Sequence, residues 1–304
     1  MNEKCFHINN KCIEKSLDND SYLKKYKNMN AYLLSHNGLG DNLFMIGAVR
    51  FLLQYYENIY FLCKDKYYKE VKLFYKNIKN VILISINSKE EISSCKKIIN
   101  KSVYENNDVL ISGFIHKKYL KSKITNTKLL KRIPEKKRYT IDFDTLTKSN
   151  YSFIENFYLD INLDLNIYFE YFNLPVTRKS KSYYNCLSKY DKIIFIHSEA
   201  SNKKLNFTNL YKKNVMKKNT IMVCVNNNVY ESTKKLNKYQ EEKFNLCNNI
   251  IYIPLIYYLD IIKNCNEIYI IDSCFTGIVL PLLKTNKLRA SKVRIIERNT
   301  DIIL

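Results

Sequence analysis

Glycine, proline and tryptophan are what this chain has least of. It holds 5 Gly, 4 Pro and no Trp in 304 residues, where average usage would give about 21 Gly and about 15 Pro. That scarcity excludes collagen-like and Pro/Gly-rich disordered classes. It also makes each glycine position informative: Gly38, Gly40, Gly47, Gly113 and Gly277. Three of the five fall within ten residues, a clustering that marks a tight turn or a close approach of backbone. Long hydrophobic runs are also missing. The longest, Ile250 to Leu259, contains Pro254 and is too short to span a bilayer. Met1 to Leu17 is polar without an apolar h-region, so no secretory signal is expected. Cysteine is plentiful, with 9 residues, but no two form a Cys-x-x-Cys pair. The odd count and irregular spacing point to neither a disulfide framework nor a zinc site. A reducing, cytoplasmic location is expected.

Basic residues dominate, with 50 Lys and Arg against 29 Asp and Glu for a net charge of +21. The charge is spread rather than clustered, and it accompanies a chain rich in Lys, Asn, Ile and Tyr throughout. Nucleic acid is therefore not expected as the main partner. A basic surface equally suits an anionic small ligand. Apolar residues make up 46% and charged residues 26%, ordinary for a globular protein. The length suggests about two domains at roughly 150 residues each.

Residues 1–30 are polar and lack periodicity. From Ala31 the texture alternates. Strands are predicted at Ala31–Ser35, Ile59–Cys63, Val81–Ile84 and Val109–Ser112. Helices are predicted at Asn42–Tyr56 and Lys66–Lys76, and at Ile92–Ile99 behind a Ser88-x-x-Glu91 capping box. Residues 116–150 are basic and carry no clear pattern. Ser152–Leu163 reads as an aromatic-rich helix, and Asn173–Tyr190 as a linker. A second series follows, with strands at Lys192–His197, Thr220–Val225, Ile250–Ile253, Glu267–Ile271 and Val293–Ile296. Its helices are predicted at Leu255–Asn264 and Phe275–Leu283. Such βαβ alternation implies parallel sheets covered by helices. The expected fold is α/β: two Rossmann-like doubly wound domains facing a cleft, over residues 31–178 and 179–304, preceded by the polar segment 1–30.

The first chemical signal is Ser35-His36-Asn37-Gly38-Leu39-Gly40-Asp41-Asn42, between a predicted strand and a predicted helix. Ligands of open α/β sheets bind at that edge, and a helix start favours negative charge. Leu43 stands where a dinucleotide fingerprint needs its third Gly, and the Lys and Ser/Thr of a P-loop are absent. Asp41 would repel phosphates laid on the loop. It suits a base, or equally a helix cap. His36 is placed either to bind a substrate or to hydrogen-bond the turn.

The second signal has two parts. His197-Ser198-Glu199-Ala200-Ser201-Asn202-Lys203-Lys204 leaves a predicted strand. Asp272-Ser273-Cys274-Phe275-Thr276-Gly277 ends another and starts a helix. A helix start with small hydroxyl residues can cradle a diphosphate, and Lys203 or Lys204 can supply an opposing point charge. Ser273 as an ordinary N-cap and the lysines as solvated loop charges are the plainer alternatives.

The Gly-Leu-Gly-Asp loop, the His-Ser-x-Ala-Ser…Lys segment and the late Asp-Ser…Thr-Gly segment, in that order, resemble glycosyltransferase family 9, the ADP-heptose:lipopolysaccharide heptosyltransferases of GT-B fold. The resemblance implies an acceptor side on the first domain, including His36, Asn37, Gly38, Leu39, Gly40 and Asn42. It implies a nucleotide-sugar donor on the second, held by His197, Ser198, Lys203 or Lys204, and the segment Asp272, Ser273, Cys274, Phe275, Thr276 and Gly277. It further implies an inverting, metal-independent transfer to a glycan or other hydroxyl acceptor, with no cofactor and with Asp41 as the catalytic base. Cys274 departs from the family's glycine, Ser198-Glu199 from its Pro-Gly, and Phe207 from its tryptophan. Three rivals remain: a GT-B-like nucleotide- or sugar-binding protein without catalysis, a methyltransferase using S-adenosylmethionine, and a basic nucleic-acid-binding protein.

Overall fold

A computed structural model describes residues 29–112, 152–201, 203–231 and 237–296. The segments 1–28 and 116–150, and Gly113 with them, lie outside the described residues.

In β1 (Asn30–Leu34) side chains alternate between two buried faces. Ala31 and Leu33 join the main core, while Leu34 joins a second cluster with Leu62, Ile86, Cys95, Ile99, Val109 and Ile111. Strands buried on both faces read as continuous apolar runs and need helices on each side. On one side come α1 (Leu39–Phe44) and α2 (Ile46–Leu52). After β2 (Asn58–Lys64), α3 (Asp65–Phe74) packs on that same side. After β3 (Val81–Ile86), α4 (Glu91–Tyr104) covers the opposite side and leads to β4 (Asp108–Ile111). The sheet is parallel with order β3-β2-β1-β4. The order reverses between β1 and β4, so a crevice opens at their carboxyl ends.

The chain then forms α5 (Ser152–Leu159), α6 (Asn166–Tyr171) and α7 (Arg178–Leu187). Helix α7 occupies the stretch expected as a linker. Thr177 accepts the Ser180 amide at 2.9 Å, an N-cap that starts the helix, and Ser180 and Leu187 are buried. The second sheet contains β5 (Lys192–His197), β8 (Thr220–Cys224), β9 (Glu267–Ile271) and β10 (Lys292–Ile296). It is parallel with order β10-β9-β5-β8. Between β5 and β8 lie a hairpin of β6 (Glu199–Ala200) with β7 (Lys203–Lys204), then α8 (Thr208–Asn214). Helix α9 (Lys238–Asn248), a 3₁₀ turn at Leu255–Tyr258 and α10 (Leu259–Asn264) precede β9. Helix α11 (Thr276–Lys284) joins β9 to β10. These two doubly wound units confirm the α/β expectation.

Three local expectations fail for identifiable reasons. Ile250–Ile253 is a turn rather than a strand: Tyr252 has φ 52°, and the Tyr258 hydroxyl donates to the Ile250 carbonyl. The run is apolar because Ile250 is in the core. Ser88 is not a cap, because Asn87 accepts the Lys89 amide while the Ser88 hydroxyl bonds Asp65. The helix expected at Asn42–Tyr56 is broken at Met45 into α1 and α2. There the Tyr158 hydroxyl accepts the Ala48 amide at 3.1 Å and donates to the Phe44 carbonyl at 2.8 Å. Those two groups would otherwise bond each other as residues i and i+4, and a side chain inserted in that ladder kinks a helix.

Proline leaves a similar opening in α11. Pro281 has no N–H for the carbonyl four residues earlier, which is that of Gly277. The hydroxyl of Tyr168, on α6, donates to this carbonyl at 2.6 Å. Both Tyr158 and Tyr168 are fully buried. Tyr168→Phe is expected to strand the Gly277 carbonyl and destabilise the fold by ~1–3 kcal/mol. In a denaturant-unfolding double-mutant cycle, Pro281→Ala restores the helical donor and should reduce that cost; a cost that is the same with and without Pro281→Ala would refute the explanation.

Candidate active site

The loop after β1 turns at a residue the sequence did not single out for turning. Asn37 carries the positive φ of 63°, a conformation Asn tolerates better than most residues. Gly38 has φ −72° and ψ 161° and is the N-cap of α1. Its amide donates to Asp41 Oδ2 at 3.0 Å. A side chain at Gly38 would stand 2.7 Å from that oxygen, so the carboxylate could not fold back as it does. The Gly38 carbonyl accepts both the backbone and the side-chain amide of Asn42, at 3.0 and 2.6 Å. Leu39, Gly40 and Asp41 remain half-buried, while His36, Asn37 and Asn42 are buried.

Two further residues hold this loop. Asn37 Nδ2 donates to Glu91 at 3.2 Å, and Lys64 pairs with Glu91 at 2.7 Å. The ring of His36 lies edge-on to Phe157 with centroids 4.8 Å apart. Burial lowers the His36 imidazole below its ordinary value, against the opposing pull of Asp41, Asp160 and Glu91. Helix α5 therefore walls the crevice: Ser112, just past β4, donates to the Phe157 carbonyl at 2.7 Å. Glu91, Lys64, Asp160 and α5 were not foreseen as parts of the site. A solvated charge and a catalytic-side charge look alike in a chain this rich in both.

In the second sheet the order reverses between β5 and β9. The loops leaving these two strands carry the second signal. His197 Nδ1 and Ser273 Oγ are hydrogen-bonded at 2.9 Å and tie the two loops together. The Ser273 amide donates to Thr276 Oγ1 at 3.1 Å, and Thr276 returns its amide to the Ser273 carbonyl at 3.0 Å. Ser273 is thus a brace rather than the N-cap of α11, which is Phe275. Phe275 packs in the core against Phe195, His197 and Tyr258. Asp272 and Cys274 are half-buried, and burial pushes the Cys274 thiol up to about 11. The Ser198 amide and hydroxyl both donate to Asn226 Oδ1, at 3.1 and 3.3 Å. The run Asn226-Asn227-Asn228 closing β8 was the available signal for this brace. It was obscured by the abundance of Asn elsewhere.

The two lysines separate. Lys204 pairs with Glu199, which holds its ammonium above the ordinary value through that hydrogen bond, and its side chain is 70% exposed. Lys203 is opposite Ala200 in the hairpin, and directly opposed residues project to the same face. Ala200 packs on the Leu205, Ile271 and Ile296 cluster, at the end of β9. Lys203 therefore lies on the same hairpin face as Ala200, and Lys204 on the other.

The two halves of the site touch. A Cβ at Gly40 would stand 3.3 Å from the Cβ of Cys274, and one at Gly277 only 2.7 Å from the Phe44 ring. Helix α1 and the start of α11 are therefore in direct contact. Around this seam, Glu70 of α3 accepts the Leu255 amide at 2.6 Å. Among the described residues no group of three His, Cys, Asp or Glu side chains is arranged to hold a metal, and no helix is long and apolar enough to cross a membrane.

Burial pushes His197 down to about 4. In the unfolded chain it titrates near 6.5. Below that pH the unfolded chain takes up a proton that the folded chain refuses, so this part of the stability is complete above pH 6.5 and is lost as pH falls toward 4. The loss approaches ~3 kcal/mol. Stability measured by denaturant unfolding from pH 7 to 4 should fall less steeply in His197→Asn; equal slopes would contradict the assignment.

No family model matches the sequence, and no curated protein matches it. Solved structures do resemble the fold. A glycosyl transferase family 9 structure from Veillonella parvula DSM 2008 aligns over 89% of this chain and 86% of its own, with TM-score 0.53 and 11% identity. The E. coli ADP-heptose lps heptosyltransferase II aligns over 88% and 90%, with TM-score 0.50 and 13% identity. The chain therefore has the GT-B-like fold of these glycosyltransferases, with two parallel-sheet Rossmann-like units.

Proposed function

We propose that this protein is an inverting, metal-independent glycosyltransferase that moves a sugar from a nucleotide-sugar donor to a hydroxyl acceptor. The observation that carries the reading is the contact of Gly40 with Cys274. It sets a carboxylate, Asp41, beside the N-terminus of α11 at the carboxyl edges of both sheets. On this reading a proton acceptor and a phosphate cradle adjoin across that contact.

In the proposed step the acceptor hydroxyl lies against Asp41. Its oxygen attacks the anomeric carbon, its proton passes to the Asp41 carboxylate, and the sugar–phosphate bonding pair leaves with the nucleoside diphosphate. Charge growing on the leaving diphosphate is offset by the positive end of the α11 dipole and by a lysine. Lys203 is the better candidate for that lysine by placement, being half-buried opposite Ala200 in the hairpin while Lys204 is largely exposed. The Gly38 amide fixes the orientation of Asp41. An ionised carboxylate has about four acceptor sites, so one such bond is compatible with receiving a proton.

A second reading is binding without transfer. It is favoured by the same Gly38–Asp41 bond, which makes Asp41 an effective helix cap. Asp41→Asn separates the two, because the amide oxygen can still accept the Gly38 amide. With a panel of nucleotide sugars and glycan acceptors, the purified wild type should transfer and Asp41→Asn should be slower by about 10²–10⁴-fold. Nucleoside diphosphate binding by calorimetry should be unchanged. Undiminished transfer by Asp41→Asn would remove Asp41 as the base; nucleotide binding with no transfer or donor hydrolysis by wild type would favour the second reading.

Lys203→Ala should weaken nucleoside diphosphate binding by about 10- to 100-fold, the size of a lost charged hydrogen bond. Lys204→Ala should change it by less than about threefold, as expected of an exposed ion pair. The reverse ranking in titration calorimetry would exchange their roles.

A further inference from the structure

We infer that Asn42 is a positioning residue for Asp41, acting through the backbone of Gly38. This rests on the reading of Asp41 as the base of a glycosyl transfer. Asn42 was expected on the acceptor side, but it is fully buried, which keeps it from touching an acceptor. What it touches is the turn. Its Nδ2 donates to the Gly38 carbonyl at 2.6 Å. At the other end of the same residue, the Gly38 amide donates to Asp41 Oδ2 at 3.0 Å. Both polar groups of Gly38 are therefore held by side chains of two consecutive residues of α1. Glycine has the most backbone freedom of any residue, and here it carries the bond that orients the carboxylate. Pinning its carbonyl restrains the direction of its amide, and with it Asp41.

Stability does not account for an asparagine at this position. The Gly38 carbonyl already accepts the backbone amide of Asn42 at 3.0 Å, so it has a partner without the side chain. The side-chain amide cannot be turned over, because Oδ1 in place of Nδ2 would set an acceptor against an acceptor. Oδ1 therefore faces away from this carbonyl, where it is buried without a hydrogen-bond partner among the described residues. An acceptor stranded in the interior costs more than one neutral hydrogen bond returns. An apolar side chain would suit the surroundings, since Leu43 and Phe44, the next two residues, belong to the core. A residue that breaks a local rule without a gain in stability marks a functional constraint. The bond between Gly38 and Asp41 supplies that constraint.

The test is kinetic. A panel of ADP-, GDP- and UDP-sugars with methyl glycosides as acceptors identifies a pair on which the purified full chain acts. With that pair, Asn42→Leu and Asn42→Ala should each lower kcat by about 10- to 100-fold, the scale of a reacting group misplaced by up to about 1 Å. The donor KM and nucleoside diphosphate affinity should not change, which also reports that each variant is folded. In denaturant unfolding Asn42→Leu should be at least as stable as wild type. The two variants remove the same donor with different consequences for packing, so a shared loss of kcat belongs to the donor. In an Asp41→Asn background Asn42→Leu should cost nothing further, because the base through which it acts is gone. The same loss in that background as in wild type would overturn the role. A less stable Asn42→Leu with a raised donor KM and an unchanged kcat would assign Asn42 to the fold alone and overturn it too. Transfer by wild type and equal transfer by Asn42→Leu would overturn this role and leave the transfer reading standing; a wild type that transfers no sugar would overturn both.

Discussion

The Tyr168 hydroxyl on the Gly277 carbonyl is the bond on which the site depends. It joins α6, which follows the first sheet, to the first turn of α11, in the second. It exists because Pro281 leaves that carbonyl without a helical donor, and a buried carbonyl must find a partner. Its consequence is positional. With α11 drawn against α6, Gly277 lies against Phe44 and Leu43, and Gly40 against Cys274. The proposed base and the proposed phosphate cradle are held together by packing of their own helices, before any ligand binds. At this seam glycine is the only residue that fits without moving its neighbours.

Tyrosine serves a second time in the same way. The Tyr158 hydroxyl separates α1 from α2 by standing between the Phe44 carbonyl and the Ala48 amide. This leaves α1 as a short, six-residue helix, whose direction is set by α5. The same α5 carries Phe157 against His36 and roofs the end of β4. One helix outside the βαβ series thus shapes the first unit's side of the crevice. In a chain with 26 tyrosines and few glycines, phenol groups supply the donors and acceptors that interrupted helices require.

Much of the fold was legible because both sheets bury strands on two faces. Lys192–His197 and Glu267–Ile271 are strands as read, since a short unbroken apolar run between polar turns has few other uses. Ile250–Ile253 shows the limit of that signal: the same apolar content fills a turn, because burial and extension are independent. The site was legible as positions. Asp41, His197, Ser273 and Thr276 all lie at carboxyl ends of strands or at helix starts. Their engagements were not legible. His197 holding Ser273, Ser198 holding Asn226 and Lys204 holding Glu199 depend on which strands become neighbours.

Local periodicity and turn chemistry were enough to set the two βαβ series, the loops that carry their chemistry and the order in which those loops come, because such signals act over a few residues. Folding in three dimensions added the rest. It brought the two loops into contact, turned Lys203 and Lys204 to opposite faces, and made Asn37 rather than Gly38 the left-handed residue. Those outcomes depend on which distant side chain reaches a freed carbonyl or fills a space. Tyr168 and Gly277 are 109 residues apart, and Tyr158 and Phe44 are 114 apart, separations across which no sequence period carries information.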